Sequence, residues 1–215
     1  MSITIAKVLP SRSLVPAVLD LIERLAILVL YAWLVIRLSA SMSEGGRGVN
    51  GLLLISEGLV IVFILVRRAT VRVSRNPVEW IIAIAATCGP LLVNPSQGEP
   101  LISPVVGTTI WLAGTIVQVS AKLALGRSFG CIPAHRGLKR QGPYRFVRHP
   151  MYVGYLLSHF AFLLTNPTLG NLAIYAICDA IQVPRMFVEE RLLGSDPGYL
   201  AYCDEVPWRV IPGVF

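Results

Sequence analysis

The stretch 102–125, ISPVVGTTIWLAGTIVQVSAKLAL, decides the fold class, because Lys122 is its only charged residue. A helix needs about 20 residues to cross the hydrocarbon layer of a bilayer, with a working range of about 17–25. This segment meets that length comfortably. Outward from it, further apolar segments fall at about 15–40, 51–66 and 79–97 on one side and 151–165 and 168–184 on the other. The first is also long enough, and the second and third suffice at their edges. The last two are short and are separated by a tight turn at Asn166-Pro167. They read either as two tilted spans or as a hairpin that dips into the membrane; both return the chain to the side it came from. The expectation is an all-α, polytopic membrane helical bundle with five or six membrane helices.

Composition agrees. The chain of 215 residues is 54% hydrophobic and 14% charged, with a mean hydropathy of +0.66, whereas soluble domains carry roughly 25% charged residues. No repeat, low-complexity tract or polar linker divides it, so a single membrane domain over 1–215 is expected. Its N-terminal membrane helices would occupy 1–125. The first apolar run holds Glu23, Arg24 and Arg37 and lacks a small-residue cleavage site, so it reads as a retained helix rather than a signal peptide.

The net charge of +7 suggests nucleic acid, but position decides otherwise. With the N-terminus inside, fifteen of the nineteen lysines and arginines fall in inner segments and only Arg47 in an outer loop. That is the positive-inside bias, with both termini cytoplasmic. The basic residues therefore face anionic lipid headgroups. The run Arg67-Arg68-Ala-Thr-Val-Arg72-Val-Ser-Arg75 has no interleaved aromatics for base stacking. No nucleic-acid partner is expected. Cys88, Cys131, Cys178 and Cys203 form no CxxC pair and read as reduced structural thiols. His135, His149 and His159 lack metal-ligand spacing, so no metal is expected. Charges within the apolar runs are either functional or buried against a neighbouring helix; Glu23, Arg24, Glu57 and Asp179 stand open between those readings.

The chemistry-bearing residues begin after Leu125. Gly142-Pro143-Tyr144 is followed by Arg148-His149-Pro150-Met151-Tyr152-Val153-Gly154. Proline fits the first position of a helix and pushes the preceding residue out of the α region. His149-Pro150 therefore marks the start of a helix whose unpaired N–H groups suit a carboxylate ligand. Tyr144, His149 and Tyr152 would cluster at its mouth, as an interfacial anchor belt or as the wall of a ligand pocket. Downstream, Arg185 and Glu189 lie four apart and share a helix face, with Glu190 adjacent. Alone, that pair is an ordinary surface ion pair worth little.

The ordered set Gly-x-Tyr, Arg-His-Pro-x-Tyr-x-Gly, Arg-x-x-x-Glu-Glu and the closing Tyr199-Leu-Ala-Tyr202 resembles the isoprenylcysteine carboxyl methyltransferase family, whose wider clan includes phosphatidylethanolamine N-methyltransferases. The resemblance covers roughly 120–215. It implies S-adenosylmethionine as cofactor, held in a pocket at the cytoplasmic face by the 126–215 part. The implied cofactor-binding residues are Gly137, Leu138, Lys139, Tyr144, His149, Pro150, Met151, Tyr152 and Glu189. The implied catalytic residues are Arg185, facing the methyl acceptor, with Glu189 and Glu190. The acceptor would be a lipophilic or lipidated molecule, such as the carboxylate of a prenylcysteine-like acid, reached from the membrane lipids. The spacing from Glu190 to Tyr199 is about two residues shorter than usual for the family.

Three other readings compete with this one. A phospholipid amine acceptor would need a base, with Glu190 or His149 as candidates. The tail Val206-Pro207-Trp208-Arg209 also resembles NADPH-dependent sterol reductases, but Pro150-Met151 and Tyr155 break that pattern. A non-catalytic scaffold or transporter is the third. The expected location is a bacterial inner membrane rather than the endoplasmic reticulum.

Overall fold

The computed structural model describes residues 15–41, 58, 60–68, 74, 76–94 and 98–215. Glu57 lies outside the described residues, as do Arg47, Arg72 and Arg75. Helix α1 spans Val15–Ser41 and is followed by helical residues 60–66. Next come α2, Pro77–Cys88, which tightens into a 3-10 turn over Gly89–Leu92, and α3, Pro104–Leu125. A long loop leads to α4, Pro150–Thr165, then α5, Leu169–Leu193, and the short α6, Pro197–Glu205. There is no strand among the described residues, as expected for an all-α chain.

The helix starts follow from sequence chemistry. Proline opens α2, α3, α4 and α6, where its missing N–H costs nothing. Asn76, Ser103, Thr168 and Asp196 each accept a backbone N–H at the start of the helix they precede. His149 is different. It precedes Pro150 at φ −126° and makes no side-chain cap, so its ring is available for contacts away from the helix end.

Among the described residues, the helix Pro104–Ser128 is the one long and apolar enough to cross a membrane by length and composition. Helices α2 and α4 are apolar but shorter, at 12 and 16 residues. Helices α1 and α5 are long, at 27 and 25 residues, but carry charge. The apolar surface is nonetheless extensive: Val29 and Ile36 on α1, Val105 and Ile116 on α3, and Leu169 and Ile177 on α5 are all exposed. Water does not favour such a surface.

Helix α5 departs from the sequence reading. The apolar segment stops near 184, yet the helix runs through Pro184 to Leu193. Gln182, Arg185 and Met186 are buried on either side of the proline, and this packing holds the rod together where proline would otherwise break it. Arg185, Glu189 and Glu190 thus ride on the same helix that packs against α4.

Helices α3 and α4 make the tightest pairing. At Gly114 a Cβ would lie 2.6 Å from the Ser158 hydroxyl and 2.8 Å from the Gly154 carbonyl; at Gly154 it would lie 2.7 Å from the Gly114 carbonyl. The two backbones touch because neither carries a side chain there, the small-residue device of apolar helix pairs. Gln118 donates to the Ser158 hydroxyl at 3.0 Å across the same seam. This crossing sets where the first turn of α4, and with it His149 and Tyr152, meets the end of α3. Gly114→Ala and Gly154→Ala should each destabilise the detergent-solubilised protein by about 1–3 kcal/mol. Gly170→Ala, which meets no atom within 4 Å, should leave the thermal unfolding midpoint nearly unchanged.

Candidate functional site

The loop from Gly126 to His149 is shaped by glycines and by clamps to other elements. Gly137 and Gly142 adopt φ of 102° and 62°, a region where side chains are strained. The 3-10 turn Gly142–Arg145 places Tyr144 inward, and the Tyr202 hydroxyl of α6 donates to its carbonyl at 2.7 Å. Arg140 reaches α6 as well: it donates to the Gly198 carbonyl, pairs with Glu205 at 3.2 Å and lies over the Tyr202 ring. The 148–149 backbone pairs with the C-terminal segment, with Arg148 N–H on the Trp208 carbonyl at 2.9 Å and His149 N–H on the Arg209 carbonyl at 2.8 Å.

These constraints enclose a cleft between the loop, the first turn of α4, the end of α5 and α6. Of the residues expected from sequence, Gly137, Leu138, Lys139, Tyr144, His149, Met151, Tyr152 and Glu189 line it. Pro150 is buried at the start of α4 behind the lining. Arg185 is buried beneath it and Glu190 is turned away from it.

Glu189 is the polar centre. Its Oε1 accepts the Tyr152 hydroxyl at 2.7 Å and lies 3.3 Å from Arg185 Nε, while its Oε2 is 3.8 Å from His149 Nδ1. The His149 and Tyr152 rings stack with centroids 5.4 Å apart. Arg185 lies over the Tyr152 ring at 5.8 Å and donates to the Cys131 carbonyl at 2.9 Å. Tyr152 also lines a second, mostly apolar cavity with Leu156, Val183, Met186 and Val210, whose polar lining residues are Asp179, held by His159 at 2.7 Å, and Gln182. One tyrosine thus walls both a polar cleft and an apolar one.

Glu190 performs a different task. It accepts from His149 Nε2 at 3.2 Å and from Arg209 Nε at 3.0 Å, and lies 3.4 Å from Arg148. Burial pushes its carboxyl up, but the contacts with His149, Arg148 and Arg209 together hold it below the ordinary range. It is a tie between α5, the motif and the C-terminal segment. In the loop, burial, assisted by the Glu189 charge, pushes the Tyr144 phenol well above its ordinary value. Burial and then the Glu23 carboxylate push the Cys131 thiol up to about 12. Both groups stay neutral at pH 7. All four cysteines are unbridged.

Two further residues line the cleft: Arg136, to which the sequence assigned no role, and Tyr199, which the sequence placed in the motif without a role in the pocket. The closing Tyr-x-x-Tyr was the signal for Tyr199. Nothing local marked Arg136.

The cleft presents both charge signs and aromatic walls, a lining suited to a zwitterionic ligand. Glu189 offers a carboxylate, Lys139 and Arg136 offer cations, and Tyr144 and Tyr152 offer aromatic walls. The Tyr199 hydroxyl, which neighbours Cys203, lines the same cleft.

Comparisons with known proteins find sequence matches and a structural likeness. Residues 102–195 match the family model for phospholipid methyltransferase. The chain is 32% identical over 114 residues to Protein-S-isoprenylcysteine O-methyltransferase A of Arabidopsis thaliana, a match covering 46% of this chain and 55% of that protein. The chain thus spans about half the length of the curated relative it matches. A solved eukaryotic intramembrane Ras methyltransferase, isoprenylcysteine carboxyl methyltransferase, is 20% identical and overlaps 77% of this chain and 66% of its own, with a TM-score of 0.49. The resemblance carried by the sequence motifs is supported by both sequence matches.

The depressed carboxyl of Glu190 sets a pH test. A group whose folded-state pKa lies below its ordinary 4.5 stabilises the fold fully above that value and loses the contribution as pH falls through the depressed one. Glu190→Gln should therefore lower the thermal unfolding midpoint at pH 7, and the gap to wild type should narrow as pH falls below 4.5 and through the depressed value. A gap that persists at low pH would show that the ion contacts are not its source.

Proposed function

We propose that the protein is an S-adenosylmethionine-dependent methyltransferase that acts on a lipophilic acceptor at the cytoplasmic face of a membrane. The observation that carries the reading is the double role of Tyr152, whose hydroxyl is held by Glu189 in the polar cleft while its ring lines the apolar cavity. A water-soluble donor and an apolar acceptor need such a shared wall. The matches to a phospholipid methyltransferase model and to an isoprenylcysteine O-methyltransferase support the same class.

In this reading the chain is one membrane domain with five or six membrane helices and both termini cytoplasmic. The exposed apolar faces of α1, α3 and α5 support lipid contact, as does the distribution of basic residues. The 126–215 part forms the donor and reaction site.

S-Adenosylmethionine, when bound, supplies a methyl group whose bond to a sulfonium breaks as the acceptor oxygen takes it, leaving a neutral thioether. The protein's contribution is then mainly placement and exclusion of water. Gly137, Leu138, Lys139 and Tyr144 would hold the donor, with His149 and Met151 closing the α4 side. Glu189 balances positive charge in the cleft and fixes the Tyr152 hydroxyl. Arg185, buried behind Tyr152 and Glu189, supplies a positive potential that draws an anionic acceptor towards the wall. A carboxylate acceptor is already ionised and requires no base, which suits the prenylcysteine-like acid.

An amine acceptor is the second reading, favoured by the description of the matching family model. It would require a group that accepts a proton near neutrality. The depressed carboxyl of Glu190, held by one histidine and two arginines, is unsuited to that task, which leaves His149 as the candidate base for this reading.

Purified protein should bind S-adenosylhomocysteine in isothermal titration, and membranes containing it should transfer labelled methyl from S-adenosylmethionine to a base-labile ester on a prenylcysteine-like acid. Glu189→Gln should reduce transfer by about 100-fold or more, as expected for loss of a preorganised charge. Absence of binding to folded protein would overturn the donor assignment. A base-stable methylated amine as the product would replace the carboxylate reading with the second one.

A further inference from the structure

Helix α1 lies outside the matched stretch 102–195, yet it carries a buried carboxylate aimed at the donor loop. Glu23 is 2% exposed. Its Oε1 accepts the backbone N–H groups of Cys131 and Ile132, both at 2.9 Å, and faces Arg67 Nη1 at 2.7 Å. Its Oε2 accepts from Arg136 at 3.2 Å. Arg67 is also held by Asp20 at 2.7 Å. The Cys131 carbonyl, on the other side of the same short segment, accepts from Arg185 at 2.9 Å. Gly130 has no side chain because a Cβ there would collide with the Arg136 guanidinium.

We infer that Glu23 is the positioning residue of the donor cleft: it orients the Cys131–Ile132 segment so that Arg136 faces the cleft and the Cys131 carbonyl locks Arg185 against Glu189. The inference rests on the proposed reading of the site. The chemistry requires a carboxylate of this length. Two N–H groups and two guanidinium groups converge on one side chain, and a neutral amide oxygen would leave the cations uncompensated in a buried place. A shorter carboxylate would keep the charge but withdraw from the two N–H groups by about 1.5 Å, one carbon–carbon bond. The convergence also explains why the charged pair Glu23 and Arg24 sits in a mostly apolar helix. Arg24 pairs with Asp20 at 2.8 Å and donates to the Leu65 carbonyl at 3.0 Å, so it ties α1 to the helical stretch before Arg67, whereas Glu23 reaches the loop.

Glu23→Asp is the discriminating variant, since it preserves the buried charge. In the ligand-free, detergent-solubilised full chain, hydrogen exchange at the Cys131 and Ile132 amides should quicken by about tenfold or more. Exchange at Arg148 and His149, which are bonded to the C-terminal segment, should not change. The dissociation constant for S-adenosylhomocysteine should rise about fivefold or more, with the acceptor KM within about twofold of wild type. A purely structural role would lower the fraction of competent protein and leave that dissociation constant unchanged. Should Glu23→Asp not fold, Glu23→Gln examined in the same two assays replaces it. Unchanged exchange at 131–132 would overturn the anchor, and quickened exchange with unchanged donor binding would overturn the positioning role. If wild type itself fails to bind S-adenosylhomocysteine, the reading of the site fails, and the exchange measurement still decides whether Glu23 anchors the loop.

Discussion

The segment at Cys131–Ile132 is gripped from two sides, with the Glu23 carboxylate on its N–H groups and the Arg185 guanidinium on the Cys131 carbonyl. The architecture of the site depends on this grip. Helix α1 and the long loop share a hydrophobic cluster that includes Ile27, Tyr31, Phe129 and Cys131, and the polar contacts at this segment tie both to helix α5. In a chain whose outer surfaces are apolar, hydrophobic burial distinguishes poorly between inside and outside. Directional polar contacts then decide how the elements are arranged. An ion cluster of this kind is a costly way to gain stability, because each charge must first be desolvated. Its value is geometric, since few other arrangements of these elements satisfy all of its members.

The same logic separates the two adjacent glutamates on α5. Consecutive helical residues point about 100° apart, so Glu189 and Glu190 cannot share one environment. Glu189 meets the Tyr152 hydroxyl and Arg185 at the cleft wall. Glu190 meets His149, Arg148 and Arg209 behind it. Glu189 stays on the cleft wall with Arg185, while Glu190 takes up His149, Arg148 and Arg209. His149 spans the two, near both carboxylates, and its position follows from Pro150, which releases it from the helix.

The close crossing at Gly114 and Gly154 supplies the remaining constraint. It sets the height at which α4 enters the assembly, and therefore the level at which Tyr152 separates polar cleft from apolar cavity. With the helix starts held by proline and side-chain caps, the first turn of α4 is a rigid platform for the motif.

The sequence by itself determined the helical class, the starting point of α4 at His149-Pro150 and the clustering of Tyr144, His149 and Tyr152 at its mouth, through hydrophobic length, proline geometry and local spacing; that Met151 and Glu189 join them was implied by the family resemblance. It also marked Tyr199 through a short repeat of tyrosines. Only the tertiary structure decided that α5 continues through Pro184, that Glu190 faces away from the cleft, and that Arg136 lines it. Those outcomes depend on partners far along the chain: Arg209 for Glu190, and Glu23, more than a hundred residues away, for Arg136. Periodicity and spacing report which residues share a helix face. They carry no information about which buried charge will find which partner across the fold, and for this protein that pairing sets the shape of the site.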